Sequence, residues 1–240
     1  MLDDDQAPRD EVLAALPIFP LPNAVLLPGM VLPLNVFEPR YLDLVDHVLE
    51  RSDRAGFIGV PLLRPGFDAD YEGAPAIEQT FGVGRLLSHQ ALPDGRRFIR
   101  LEGMRRVRVL EELQLQRRFR QVRTELLPED GPCDDIQFEV LKAQLERISS
   151  TLRPDDRQLV HTILRIPDDR VMIYAVAAIV PTLGVLPDVQ IDGRSPLLGM
   201  QQRCLDAETA DDRVHDLLEC SAAICDVLSD TGRFPRTVMN

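Results

Sequence analysis

A chain of 240 residues, 45% hydrophobic and 28% charged, has the make-up of a folded protein with one large domain or two small ones. Its net charge of −12 sets it against phosphate backbones and anionic membrane surfaces, which disfavours nucleic acid and lipid as partners. With no Trp and 5% aromatic residues, the core must be built mainly from Leu, Val and Ile.

The first fourteen residues carry Asp3, Asp4 and Asp5 and little pattern, and read as an acidic, frayed tail. They lack the basic and apolar regions of a secretory leader. From Leu16 the character changes. Pro17, Pro20, Pro22, Pro28 and Pro33 punctuate short apolar runs at Ile18-Phe19, Val25-Leu26-Leu27 and Val31-Leu32. Proline fixes φ and removes a donor, so the stretch predicts short strands at sheet edges with turns such as Pro28-Gly29. Pro39 then opens a helix in which Tyr41, Leu42, Val45, Val48 and Leu49 recur at helical spacing, ended by Arg51-Ser52-Asp53.

Phe57-Ile58-Gly59-Val60 predicts a short strand, and Phe81 to Leu87 another, with Gly82 and Gly84 marking bends or close backbone approach. Pro93-Asp94-Gly95 is a turn. Arg97 to Leu101, Arg105 to Leu110 and Val122-Thr124-Leu126 follow with period two. The stretch Pro128 to Pro132 is the boundary.

Beyond it the period becomes helical. Phe138, Leu141, Leu145, Ile148 and Leu152 mark one amphipathic helix, and Val214, Leu217, Leu218, Ser221, Cys225 and Leu228 another. Pro154-Asp155-Asp156, Pro167-Asp168-Asp169 and Thr209-Ala210-Asp211-Asp212 each precede such a pattern. Carboxylates there accept free backbone N–H groups, and Thr209 with Asp212 approximates a capping box. The longest connection runs from Leu183 to Pro196. The longest apolar run, Val171 to Val180, falls short of the roughly 20 residues of a bilayer span. The expectation is a cytoplasmic protein that does not enter membranes.

Motifs for chemistry are missing. There is no phosphate-cradling G-x-x-x-x-G-K-[ST], no G-x-S-x-G elbow and no H-E-x-x-H. Gly82-Val83-Gly84 lacks the third glycine and helix of a dinucleotide site. His47, His89, His161 and His215 are scattered, and Lys142 is the single lysine. Cys133, Cys204, Cys220 and Cys225 form no C-x-x-C pair. Cys220 and Cys225 diverge by roughly 140° around a helix, which argues for free buried thiols rather than a metal site. No catalytic residue, cofactor or metal is expected.

One electrostatic anomaly stands out. Arg96 to Arg123 holds ten arginines and three glutamates in an otherwise acidic chain. A basic β face, with Arg97, Arg100, Arg106 and Arg108 as its candidates, would make the chain an RNA-binding module. The competing reading puts arginines on the wet face of alternating strands, their stems covering the sheet. The scarcity of aromatic stacking platforms favours that second reading.

The block Leu16 to Tyr41, LPIFPLPNAVLLPGMVLPLNVFEPRY, closely resembles the opening of the Lon protease N-terminal domain family. Phe57 to Val60, Phe81 to Leu86, Leu92 to Arg96 and Leu101 to Val109 resemble its later strand blocks in order. The resemblance implies an α+β fold: a PUA-like β pseudobarrel with one helix over residues 15–128, then an α-helical subdomain over 129–240. It also implies a substrate-recognition module. The sequence ends at Asn240 without an ATPase or peptidase domain, so the expectation is a free-standing, non-enzymatic module. Its partner would be unfolded or degron-like polypeptide, or a protein. Within the family-like block, Phe37, Glu38, Pro39, Arg40 and Tyr41 are the candidate binding or structural motif, at a strand-to-helix junction where each also has a folding role.

Overall fold

Prolines and glycines cut the first half into short apolar runs, and most of these become strands: β1 Leu16–Pro17, β2 Val31–Val36, β3 Phe57–Val60, β4 Thr80–Ala91, β5 Arg97–Glu112 and β6 Gln121–Leu126. The computed structural model describes residues 7–50, 56–71, 73–129, 134–182 and 194–230. They fall into two units, divided between Pro128 and Glu129.

In the first unit every strand pairing is antiparallel, in the order β1-β6-β5-β4-β3, with β2 added to β5. The two ends of this path meet. Ile18 bridges Gly59 and Leu21 bridges Leu62, and the Phe19 N–H donates to the Gly59 carbonyl at 2.8 Å. The sheet therefore closes on itself as a pseudobarrel, which removes most of its edges. Helix α2, Pro39–Glu50, turns Tyr41, Leu44, Val45 and Val48 onto Val36, Ile58, Val60, Ile99 and Leu101. A second cluster joins Leu16, Ile18, Phe57, Phe81, Val83, Val107 and Val122.

The structure departs from the sequence reading in several places. Val25-Leu26-Leu27, expected as a short strand, is irregular, its backbone seated on a ladder instead of joining one. The weak pattern of the N-terminal stretch conceals a turn of helix, α1 at Asp10–Leu13, whose Leu13 is buried in the second cluster. The runs expected as separate strands at Arg97 and Arg105 form one strand, β5. Within it the pairing jumps from Gly84↔Gly103 to Val83↔Arg105, leaving Met104 as an extra residue. This bulge breaks the alternation that the sequence pattern assumes. The helix stop at Arg51–Asp53, Cys133 and most of the connection from Leu183 lie outside the described residues.

The glycines expected to permit close approach do so. A Cβ on Gly82 would sit 1.8 Å from the Leu26 carbonyl oxygen, and one on Gly103 2.1 Å from that of Leu27. The proline-bounded segment before β2 thus lies directly on the β4–β5 ladder. Gly103 also donates to the Met30 carbonyl and accepts from the Gly29 N–H, each at 2.8 Å.

The second unit is helical: α3 Asp135–Ser149, α4 Pro154–Ile163, α5 Asp169–Ile179, α6 Pro196–Asp206 and α7 Ala210–Asp230. Two of the three acidic clusters cap as their spacing predicts, whereas α4 after Arg153 starts with no side-chain cap from Asp155 or Asp156. Asp134 accepts from the Ile136 and Gln137 N–H groups and Asp168 from Arg170. Thr209 and Asp212 exchange bonds to each other's N–H at 3.1 Å. Helix α5 is buried from Val171 through Ala177 and forms the centre of the bundle. Beside it the Tyr174 hydroxyl donates to Glu129 Oε2 at 2.7 Å, and Arg213, almost wholly buried, lies 3.7 Å from the same oxygen. Cys204, Cys220 and Cys225 are buried and take part in no disulfide, and burial pushes the Cys220 thiol up to about 11.

Because a methyl group on Gly103 would collide with fixed backbone, Gly103→Ala should lower the free energy of urea unfolding by roughly 2–3 kcal/mol. An unchanged unfolding midpoint would show that the segment does not lie this close.

Candidate functional site

The Phe37–Tyr41 block divides between core and surface. The Glu38 carbonyl accepts the N–H groups of Tyr41 and Leu42 and so starts α2, with Pro39 in the first turn. The Glu38 carboxylate takes the Arg40 guanidinium, with Oε2 at 2.7 Å from Nη2 and 2.9 Å from Nε. Its other oxygen accepts the Tyr71 hydroxyl at 2.8 Å, and Arg40 Nη1 donates to the Tyr71 carbonyl. Arg40 lies over the rings of Tyr41 and Tyr71, 4.8 and 5.1 Å from their centroids. Tyr41 is buried and stacks on Phe19 with centroids 4.0 Å apart. Glu38, Arg40 and Tyr41 are thus tied to the barrel by mutual contacts. Phe37 points the other way and is 63% exposed.

Sequence reasoning did not find Tyr71. It follows a 3-10 turn at Phe67–Asp70 that carries no period-two or helical signal, and only its ring next to Phe67 marks it as a packed position.

The arginine-rich stretch is not an open basic face. Arg106 is buried, donating to the Pro128 carbonyl at 2.8 Å. The Met104 bulge displaces the alternation and sets Arg106 opposite Gly82, on the side of the ladder where Leu26 is seated. Arg105 is buried as well. Arg97 pairs with Asp46 and Arg118 with Asp43, both on α2, while Arg120 pairs with Glu112 and Arg123 with Glu111. Arg96 pairs with Asp94 in the turn. The acidic partners come from this unit, chiefly from α2 and β5. Of the four candidates, Arg100 and Arg108 remain exposed, with no carboxylate partner among the described residues.

Arg100 sits in a distinctive setting. In the register, Val31↔Glu102, Pro33↔Arg100 and Asn35↔Phe98 face each other across β2 and β5. Ser88 and Gln90 of β4 continue the rows through Arg100 and Phe98. Directly opposed residues share a face of an antiparallel sheet. Leu32, Leu34 and Val36 alternate inward onto the core, so Val31, Pro33 and Asn35 turn outward with Phe98 and Arg100. Leu87, the extra residue at the Leu86/Ser88 bulge, is also exposed. Val31, Leu87 and Phe98 are 43%, 43% and 39% exposed, and Phe37 follows β2 immediately. One outer sheet face therefore gathers apolar side chains around Arg100, next to the Arg85–Glu102 ion pair in the adjoining row. Their pattern is an ordinary period-two strand, and only the pairing register reveals that they share a face.

In the helical unit, Arg203, Asp206, Ala207, Glu208, Asp212, His215 and Asp216 line a shallow depression of about 380 Å³. Burial raises Asp216 above the usual carboxylate range, opposed by Arg203. His215 stands 3.5 Å from Glu219 on the exposed side of α7, and no serine, threonine or cysteine lines the depression. The contact is a solvent-exposed polar one, with no nucleophile lining the depression beside it. Among the described residues no helix is long and apolar enough to cross a membrane.

The family described as the ATP-dependent protease La (LON) substrate-binding domain matches residues 15–183. The chain belongs to the Lon substrate-binding domain family. The resemblance drawn from Leu16 to Tyr41 is borne out over most of the chain. Lon protease 2 of Sorangium cellulosum is 30% identical over 183 residues, which is 75% of this chain and 19% of that protein. Lon protease of Cytophaga hutchinsonii is 26% identical over 152 residues, 62% of this chain and 18% of that protein. The chain thus spans less than a fifth of these relatives. Two solved structures share the fold. The Lon N-terminal domain protein of Xanthomonas campestris matches with TM-score 0.53 and 24% identity over 85% of this chain and 97% of its own. The N-terminal domain of the Lon protease of the Mycobacterium avium complex matches with TM-score 0.60 and 15% identity over 87% and 98%. The expected α+β architecture, a PUA-like β unit and a helical region, is that of the Lon N-terminal domain.

Burial raises the Tyr41 phenol from its ordinary value of 10.0 to about 12, partly offset by Arg40. The folded state therefore favours the neutral ring. Its contribution is fully present below pH 10 and is lost as the pH rises from 10 to about 12. In Tyr41→Phe the fall in stability over this window should be shallower than in wild type by at most roughly 2–3 kcal/mol, measured by urea unfolding at stepped pH. Identical slopes would place the Tyr41 hydroxyl in solvent.

Proposed function

We propose that this chain is a non-enzymatic recognition module that binds unfolded or degron-like polypeptide, in the cytoplasm, on the outer face of β2, β5 and β4. The observation that carries the reading is the convergence of Val31, Pro33, Phe98 and Leu87 around Arg100, with Phe37 at its end. Exposed apolar groups gathered on one face cost free energy in water and are recovered by a ligand that buries them. The outer side of a sheet, with side chains in parallel rows, suits a chain segment better than a small molecule, which prefers a concave pocket. Membership in a family named for substrate binding supports the same reading. The Phe37–Tyr41 block contributes unequally: Phe37 belongs to the surface, while Glu38, Arg40 and Tyr41 hold it in place.

The alternative of RNA binding through Arg97, Arg100, Arg106 and Arg108 has less support. Arg106 is buried and Arg97 is engaged by Asp46, so two of the four are unavailable to phosphate.

A reduced, carboxymethylated and fluorescently labelled protein serves as the unfolded probe, with fluorescence anisotropy as the readout. The wild-type chain should bind it saturably, and the double variant Phe37→Ser/Phe98→Ser should bind about tenfold or more weakly with an unchanged unfolding midpoint. Absence of saturable binding by wild type, or equal binding by the variant, would refute the assignment.

A further inference from the structure

The reading of the outer face as a polypeptide site leaves open how a chain would lie on it, and the edge of β2 supplies an answer that rests on that reading. The Gly103 N–H donates to the Met30 carbonyl, in the register that pairs Val31 with Glu102. Ladder bonds in an antiparallel pair recur at every second residue. Leu32, Leu34 and Val36 therefore turn their backbone groups to β5, and Val31, Pro33 and Asn35 turn theirs to the opposite side. Within this unit, and among the described residues, β2 pairs with β5 alone. The open side offers the N–H groups of Val31 and Asn35 and the carbonyls of Val31, Pro33 and Asn35. Pro33 lacks its N–H on this outward side, where a proline is tolerated in a sheet.

We propose that the polypeptide docks as an added β-strand along this open edge of β2, with an acidic side chain of the ligand set toward Arg100. Backbone donors and acceptors at a strand edge are complemented by another extended backbone, which commits the site to a chain segment in strand conformation. Its alternate side chains would lie beside Val31, Pro33 and Asn35 and continue the apolar outer face. Arg100 stands two strand spacings, about 10 Å, from the added strand, directly behind Pro33. The short proline ring leaves the guanidinium a path across β2, and a carboxylate side chain on the ligand covers the remaining distance. Arg100 has no carboxylate partner among the described residues, whereas Arg97, Arg118, Arg120 and Arg123 have theirs.

A second copy of this chain fits the edge less well. Two β2 strands related by a two-fold axis at Pro33 would oppose proline to proline and lose both central donors. The net charge of −12 also repels a like chain. A foreign segment without proline supplies the missing donor to the Pro33 carbonyl and can carry the acid.

The test uses the full chain and an end-blocked probe of about nine residues that alternates threonine and valine around one central glutamate. Two versions carry N-methyl groups on one or the other alternate set of backbone nitrogens, which leaves the protein untouched. Strand addition predicts saturable binding of the parent probe, about tenfold or greater loss for one methylated set, and little change for the other. Replacing the probe's glutamate with lysine should weaken binding to wild type, and Arg100→Glu should restore it. Asn35→Pro, which removes an outward donor from a strand that already holds Pro33, should weaken the parent probe about tenfold. Equal tolerance of both methylated sets, with the unfolded protein still bound at the Phe98 face, would overturn strand addition and leave polypeptide binding standing. Failure of the unfolded protein itself to bind would remove both. A dimer of this chain that is abolished by Asn35→Pro and excludes the probe would assign the edge to a second copy and overturn the proposal.

Discussion

The contact on which the first unit depends is the seating of Leu26 and Leu27 on the β4–β5 ladder. Their carbonyls come so close to Gly82 and Gly103 that no side chain fits between them. Leu26 and Leu27 are themselves buried, so an irregular, proline-bounded segment becomes part of the core. Buried backbone of this kind must find hydrogen-bond partners. Gly103 provides them at the end of the segment, bonding Gly29 and Met30 just before β2 begins. The same contact therefore fixes where β2 starts, which residues of β2 face β5, and which are left outward. The outer face is a consequence of core packing, carried through one strand register.

Electrostatics follows the same scaffold. Helix α2 turns Leu44, Val45 and Val48 to the barrel and carries Asp43 and Asp46 on its wetter side, where Arg118 and Arg97 meet them. A stretch that reads as strongly basic in one dimension is largely neutralised in three. These exposed pairs contribute little stability individually. Their effect is to quiet most of the positive charge and leave Arg100 distinct beside Phe98. In the helical unit, by contrast, Arg213 and Glu129 are almost wholly buried next to Tyr174, where losing either partner would strand the other's charge.

Much of the fold is legible from local signals because those signals are themselves local physics. Pro39 opens α2, Asp168 and the Thr209–Asp212 pair cap their helices, and Gly29 and Gly95 adopt the positive φ that turns after Pro28 and Asp94 demand. The period switch after Pro128 marks the change from sheet to helices because side-chain direction repeats every two residues in one and every 3.6 in the other. What escapes is whatever depends on pairing across the sheet. The Met104 bulge inverts the wet and dry assignment of Arg106, and no nearest-neighbour pattern announces it. Phe98 and Asn35 become neighbours only through the register, and Tyr71 reaches Glu38 across 33 residues of chain. The Phe37–Tyr41 block is visible as a junction, but its division into one exposed ring, a half-buried Glu38–Arg40 clamp and a buried Tyr41 required the fold.

The central claim is that a polypeptide is gripped on the outer face of β2 and β5. Amide hydrogen exchange followed by mass spectrometry, on the full chain with and without a saturating unfolded protein, addresses it without any substitution. The account predicts slowed exchange confined to the segments spanning Val31–Phe37 and Phe98–Glu102, with the amides of the helical unit unchanged. Protection found in the helical unit alone, with β2 exchanging as fast as in the free chain, would contradict it.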